Sequence, residues 1–328
     1  MRKYIIKRVL LSVLILFFVG FIIYCLMRCL PTSYIEQMAR QRSMQPGSKS
    51  FEEWMAQLSA TYGMDKGLIL GYFGWLGNVV RGNFGDSWYF TVPVVEKFHD
   101  TVWLSFVMGF ISFFFELIIA IPLGIIAATK QYSKTDYTVS IIALAGISLP
   151  TFFFASLLKL VFAVKFKWFD LYGLVGRMYD QLTPMGQLLD KANHLVLPIV
   201  TLVVCSMGGL MRYTRTNMLE VLNADYIRTA RAKGLSERRV IYHHAFRNTL
   251  IPIVTIIGGT LPGLFSGALI TETLYSLPGI GFTSYTAMRS GDIPFSMFYM
   301  VFLAILTLTG NLLADILYAV VDPRVRIS

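Results

Sequence analysis

The sequence is dominated by apolar segments long enough to cross a membrane. A bilayer core is about 30 Å thick, so a spanning helix needs about 20 mostly apolar residues. Six segments meet or approach this requirement: 9–27, 102–129, 137–158, 195–211, 250–271 and 294–314. The fourth is the shortest and contains Pro198, Gly208 and Gly209. We therefore predict an all-α polytopic membrane protein with six transmembrane helices.

The composition excludes the common soluble classes. Only 15% of the 328 residues are charged and 55% are hydrophobic, whereas soluble domains carry roughly 25% charged residues. A soluble enzyme domain, a disordered chain and a disulfide-stapled secreted module are therefore excluded. The three cysteines lie in apolar runs without metal-ligand spacing, so we expect no disulfide and no metal site.

The basic residues predict the orientation of the chain. The net charge of +10 could indicate nucleic-acid binding, but Lys and Arg here punctuate apolar runs rather than cluster with aromatic residues. In a six-span topology most of them lie at the N-terminus, at 130–134, in the segment 212–247 and at the C-terminus. Short basic loops stay cytoplasmic, so both termini are expected in the cytoplasm. Four basic residues conflict mildly with this: Lys165, Lys167, Arg177 and Lys191.

The first span and the segment after it form the predicted domain 1–100. The basic start of the chain could belong to a signal peptide, but an uncleaved signal anchor fits the long apolar run better. Apolar residues at helical spacing predict two amphipathic helices joined near Gly63 in an extracytoplasmic segment. These helices could contact a partner or only cover the outer mouth of the bundle. The remaining residues, 101–328, are predicted to be a five-helix core.

The segment 212–250 is the most informative cytoplasmic loop. We predict a short helix from Tyr226 to Lys233, capped by Asn223 or Asp225 and closed by Gly234 in a left-handed conformation. A second short helix is expected over residues 237–248. Tyr226, Ile227 and Ala230 would form an apolar edge between arginines. Such an edge could lie in a groove of another protein or at a lipid surface.

Three separated segments resemble one transporter family. The run Asp225-Tyr226-Ile227-Arg228-Thr229-Ala230-Arg231-Ala232-Lys233-Gly234-Leu235 closely resembles the coupling loop of ATP-binding-cassette importer permeases of the peptide class. The segment Glu272 to Gly281 and the C-terminal run Asp315 to Arg326 are similar to two further segments of that family. The first span with its long outer segment is similar to the first of the two permeases in oligopeptide and dipeptide systems. The wider importer pattern has Glu-Ala-Ala where this chain has Arg228-Thr229-Ala230.

The resemblance implies a division of labour among several proteins. Such permeases sit in a bacterial cytoplasmic membrane with a homologous second permease, two cytoplasmic ATP-binding subunits and an extracytoplasmic substrate-binding protein. The chain has no phosphate-loop motif, so we expect no catalytic residue and no cofactor in it. The implied ATPase-coupling residues are Asp225, Tyr226, Ile227, Arg228, Ala230, Arg231, Gly234 and Leu235. The implied solute is a peptide; nickel chelates or another small solute are the alternative, and a secondary transporter or channel is less favoured.

Three polar residues inside predicted spans are candidates for the translocation path. Glu116 lies in the second span, and Asn311 and Asp315 lie toward the inner end of the sixth. Polar groups in hydrocarbon are costly, so they often mark a functional pathway. Hydrogen bonding to a neighbouring helix, or to the second permease, is the alternative for each.

Overall fold

The computed structural model describes residues 2–29, 34–61 and 64–321, without the side chains of residues 2–5, 251, 255 and 315–321. Within these residues the chain is helical, and its only β feature is an isolated bridge between Asp86 and Pro93. The predicted all-α membrane fold is thus confirmed.

The N-terminal part contains four helices before the first long internal one. They are α1 (Arg2–Arg28), α2 (Tyr34–Ser43), α3 (Phe51–Thr61) and α4 (Leu68–Val80). The two predicted amphipathic helices correspond to α3 and α4, whereas α2 was not predicted. The junction expected at Gly63 lies outside the described residues. At the start of α3, Ser50 N–H donates to Glu53 Oε2 (2.9 Å), and this hydrogen bond lowers the pKa of Glu53.

The central part contains the two longest helices of the described residues, with two shorter helices between them. They are α5 (Val94–Thr129), α6 (Lys134–Ser148), α7 (Thr151–Leu158) with a π-helical continuation Lys159–Lys165, and α8 (Pro184–Leu222). A short 3₁₀ turn, Tyr179–Gln181, precedes α8.

The C-terminal part contains shorter helices followed by one long helix. They are α9 (Asp225–Ala232), α10 (Glu237–Arg239) with a π-helical turn Val240–Phe246, α11 (Arg247–Thr260) with a 3₁₀ turn Leu261–Phe265, α12 (Leu269–Tyr275), α13 (Ile280–Arg289) and α14 (Ile293–Val321).

Among the described residues, four helices are long and apolar enough to cross a membrane, and up to six spans result if each of two bent pairs counts as one. The four are Ile6–Arg28, Val94–Thr129, Pro184–Leu222 and Ile293–Ala314. This range includes the predicted six spans; the exact number and the cytoplasmic termini remain predictions.

The third, fourth and fifth predicted spans differ most clearly from the structure. The third is not straight: α6 and the helix starting at Thr151 meet at an angle of 103°, because Pro150 cannot continue the hydrogen-bond ladder of α6. The fourth is the longest rather than the shortest, since polar residues at both ends extend α8 beyond its apolar centre. The fifth ends at Phe265 instead of Thr271, and α12 is a separate helix.

The chain forms two compact units. The first comprises Met1–Trp103 with Ile280–Thr309, and the second comprises Leu104–Gly279 with Gly310–Ile327. In the first, Tyr72 Oη donates to the Phe17 carbonyl (2.6 Å), which fixes α4 on α1. Asp292 is fully buried there and accepts hydrogen bonds from Ser87 Oγ and Tyr89 N–H. The predicted division into 1–100 and 101–328 remains a prediction.

In the second unit, α6 and α8 pack through glycines. A Cβ atom on Gly146 would lie 2.5 Å from the Val204 carbonyl oxygen, and one on Gly208 would collide with the Ala143 carbonyl oxygen. Small residues allow two helix backbones to approach closely, which is how helices commonly associate in membranes. Gly208 and Gly209 therefore differ in role, because a Cβ on Gly209 would meet nothing within 4 Å.

Replacing these two neighbouring glycines by alanine should have opposite effects on stability. In G208A the new methyl group forces α6 and α8 apart, so we expect a loss of about 1–3 kcal/mol. In G209A the better helix propensity of alanine should leave stability unchanged or raise it by up to ~1 kcal/mol. SDS titration of the purified chain in mixed micelles measures both values. Equal losses in the two variants would contradict the assigned glycine contact.

Candidate functional site

The candidate site is the segment between α8 and α11. α8 ends at Leu222, and α9 follows after a two-residue turn with Ala224 at its N-cap. The predicted capping by Asn223 or Asp225 is therefore wrong: no side chain caps α9, and Asn223 closes α8. Gly234 follows the C-cap residue of α9, Lys233, and has the predicted left-handed conformation, with φ +77°. A left-handed residue there lets the chain turn back toward α10.

One face of α9 is buried against the chain's own helices. Ile227 is fully buried and Ala230 is 7% exposed. They belong to a cluster that we call the α9 seat, whose buried members are Ile125, Ala128, Met218, Ile227, Ala230, Val240 and Ala245. The seat combines residues of α5, α8, α9 and the π-helical turn after α10. It fixes α9 rigidly on the ends of α5 and α8.

The seat changes the interpretation of the apolar edge. The sequence suggested that Ile227 and Ala230 are presented to another molecule, but both side chains point into this chain. Leu235 is partly buried and packs on the same cluster. The expectation of an outward apolar edge is therefore wrong for these residues. The burial depends on contacts with α5, which is distant in sequence, so helical spacing alone could not show it.

The rest of the α9 surface is polar and exposed. Tyr226 is 47% exposed, and its hydroxyl accepts a hydrogen bond from Asn248 Nδ2 (3.2 Å). Arg228 pairs with Asp225 (3.4 Å), and Arg231 pairs with Glu237 (2.9 Å). These pairs are solvent-exposed and contribute little to stability. They leave an accessible face of mixed charge around one aromatic ring.

The predicted second helix, 237–248, is not a separate element. α10 contains only Glu237–Arg239, and the π-helical turn Val240–Phe246 leads directly into α11. The turn places Val240 and Ala245 in the α9 seat. Thr249 Oγ1 also donates to Met218 Sδ (3.2 Å), linking α11 to α8 beneath α9.

A buried ion pair fixes α8 just before it leads into α9. Arg215 on α8 donates to both carboxylate oxygens of Asp136 on α6, from Nε to Oδ1 and from Nη2 to Oδ2, at 2.8 Å each. The Asp136 side chain is only 4% exposed, and it also accepts from Tyr132 N–H (3.0 Å). Bidentate Arg–carboxylate geometry is specific as well as strong. This pair could not be predicted from the sequence, because Arg215 lies in the segment that was expected to be a loop.

Glu116 lines a cavity in the second unit. The cavity has a volume of about 340 Å³ and is bounded by α5, α8 and α11. Its lining residues are Phe113, Glu116, Ser206, Gly209, Leu210, Tyr213, Ile256, Ile257 and Thr260. Asn311 is an exposed residue of α14 and is not part of this lining. Asp315 lies on α14, but its side chain is outside the described part of the chain. A role in translocation remains a prediction for all three residues.

Comparison with known protein families shows to which family this chain belongs. Residues 120–327 match the model of the binding-protein-dependent transport system inner membrane component, and residues 1–93 match the N-terminal model of the same membrane component. The chain belongs to this family. The protein is therefore a multi-pass membrane permease subunit, and it is not the ATP-hydrolysing part of its transport system.

Relatives of known class match this permease along its whole length. The oligopeptide transport system permease protein AppB of Bacillus subtilis (strain 168) is 36% identical over 99% of this chain and 100% of the relative. The dipeptide transport system permease protein DppB of Escherichia coli (strain K12) is 33% identical over 99% of both chains. The resemblance inferred from the motifs is confirmed.

A solved structure supports the same fold. It is an inward-facing conformation of the MetNI methionine ABC transporter, and the match has a TM-score of 0.52 at 19% sequence identity. It covers 70% of this permease and 97% of the solved chain. At this identity the likeness shows the fold alone.

Removing the Asp136 carboxylate should destabilise the permease strongly. In D136N the Arg215 guanidinium, which is 24% exposed, loses its bidentate carboxylate partner, so we expect a loss of about 1–3 kcal/mol. E36Q, which breaks the exposed Glu36–Arg40 pair, is the matched control and should cost less than about 1 kcal/mol. The SDS titration in mixed micelles described above measures both. A D136N loss no larger than that of E36Q would show that the pair does not hold α8.

Proposed function

We propose that this chain is the transmembrane permease subunit of an ATP-binding-cassette importer that takes up peptides. The observation that carries this proposal is the full-length match to the oligopeptide and dipeptide permeases described above. A match over 99% of the chain includes both the spans and the α9 segment. It therefore supports a shared solute class as well as a shared coupling device.

The proposed assembly contains four further subunits. They are a homologous second permease, two cytoplasmic ATP-binding subunits and an extracytoplasmic binding protein that delivers the peptide. The assembly sits in a bacterial cytoplasmic membrane, with both termini of this chain in the cytoplasm. The family description, an inner membrane component of a binding-protein-dependent system, supports this arrangement.

Coupling is proposed to run through α9. Its exposed face, which carries Tyr226, Arg228 and Arg231, contacts an ATP-binding subunit. Its buried face, formed by Ile227 and Ala230, transmits the movement of that subunit to α5 and α8 through the α9 seat. Packed elements tend to move as rigid bodies between discrete arrangements. ATP binding and hydrolysis would thus alternate the access of the central path between the two sides of the membrane.

The conformation of Gly234 gives a test of coupling that does not depend on the solute. A β-branched residue at φ +77° is strained by roughly 1–2 kcal/mol, so G234V should shift α9 and lower ATP-dependent uptake about tenfold. Asparagine tolerates the left-handed region, so G234N should retain most of the activity. Uptake by vesicles containing the whole assembly measures both. Normal uptake by G234V, at wild-type abundance, would reject the coupling role.

The exposed face of α9 gives a second test. Arg228 is 72% exposed, and charge reversal there disturbs the proposed interface without altering the α9 seat. We expect R228E to reduce co-purification of the ATP-binding subunits at least about tenfold, the effect of ~1.4 kcal/mol on an equilibrium. R81E, which changes an exposed arginine after α4, is the control and should not affect co-purification. Equal co-purification of R228E and wild type would place the contact elsewhere.

A further inference from the structure

The wall around Glu116 carries one charge and no partner of opposite charge. The cavity of about 340 Å³ adjoins a second one of about 200 Å³, and Glu116, Ser206 and Thr260 line both. Among the described residues that line the two cavities, Glu116 is the only one charged at neutral pH, and none is basic. The rest of the lining is largely apolar. The combined space lies in the range of small-molecule sites.

A carboxylate in such a wall is stabilised best by a cation. Ionised groups in an apolar environment are costly unless they are paired and hydrogen-bonded. The neighbouring hydroxyl groups are neutral. Ser206 hydrogen-bonds with the Glu116 carboxylate and also lies 3.4 Å from the Val203 carbonyl oxygen, and Thr260 donates to the Ile256 carbonyl (2.9 Å). Their oxygen atoms are left to accept hydrogen bonds from N–H donors. Glu116, Ser206 and Thr260 thus favour a ligand that carries N–H donors and a positive charge.

We propose that Glu116 binds the N-terminal ammonium group of the peptide as it passes through the permease, with Ser206 and Thr260 accepting hydrogen bonds from the first peptide N–H groups. This inference rests on the proposed function, because it takes the solute to be a peptide. It adds a specific site and a chemical requirement, a free amino end. The interaction is a charge-assisted hydrogen bond, which is shorter and stronger than one between neutral groups.

Two peptides that differ only in the amino group test this site. Trialanine carries the ammonium group, and propionyl-dialanine has the same shape without it. Uptake of each is measured in vesicles containing the whole assembly with its binding protein, for wild type and for E116Q. The binding protein selects peptides before they reach the membrane, and it is the same in both assemblies. We therefore compare, for each peptide, the uptake rate of E116Q divided by that of wild type, in which the selectivity of the binding protein cancels.

We expect E116Q to lower trialanine uptake about tenfold, the loss of one charge-assisted hydrogen bond. Uptake of propionyl-dialanine should change by less than about twofold, since glutamine preserves the shape of the cavity. E96Q alters an exposed carboxylate on the same helix and should change neither. SDS titration and co-purification should match wild type for both variants, which separates binding from packing.

Three results would overturn the proposal. If E116Q impairs both peptides equally, Glu116 serves packing or pairs with a basic residue of the second permease. If it impairs neither, the charge of Glu116 is not used. If the wild-type assembly transports no peptide at all, the proposed function itself fails and this site falls with it. The first two results leave peptide transport intact, so the two failures are distinguishable.

Discussion

The burial of Ile227 and Ala230 in the α9 seat is the interaction on which the proposed mechanism depends. A helix as short as α9 is marginal in water on its own. Its stability therefore comes from packing against α5 and α8. Because the same packing connects α9 to two long helices, whatever displaces its exposed face must also displace them. The seat thus makes α9 both stable and mechanically connected.

The helices beneath the seat are held together by contacts that tolerate little sliding. Close backbone packing at Gly146 and Gly208 sets the distance between α6 and α8. The bidentate pair between Asp136 and Arg215 sets their register near the α9 end. Apolar side chains gain nothing by leaving lipid for one another, so such specific contacts must determine how helices associate in a membrane. α6 and α8 are therefore expected to move as one body.

The sequence predicted those features that depend on local pattern. Long apolar runs gave the membrane class, and helical spacing gave α3 and α4. Gly234 could be assigned because its conformation is a property of one residue. The length of α8 could not be predicted. Its polar ends, which include Arg215, are stabilised by partners distant in sequence. The inward face of α9 was missed for the same reason: an isolated amphipathic helix does not show which of its neighbours covers it.

The positions of the cavity and of the α9 seat suggest how one could act on the other. α5 carries Glu116 in the cavity wall and Ile125 in the seat, and α8 carries Leu210 and Met218 in the same two places. The two positions are nine residues apart on α5 and eight on α8, a rise of about 12–14 Å, so the two sites are close along continuous helices.

Between these sites the two helices touch. A Cβ on Gly124 would lie 2.7 Å from Thr214 Cβ and 2.8 Å from the Met211 carbonyl oxygen. A contact this close resists relative sliding of α5 and α8. In the proposed mechanism a displacement of α9 would therefore move the α5 and α8 sides of the cavity wall together, which would connect α9 to the proposed solute site.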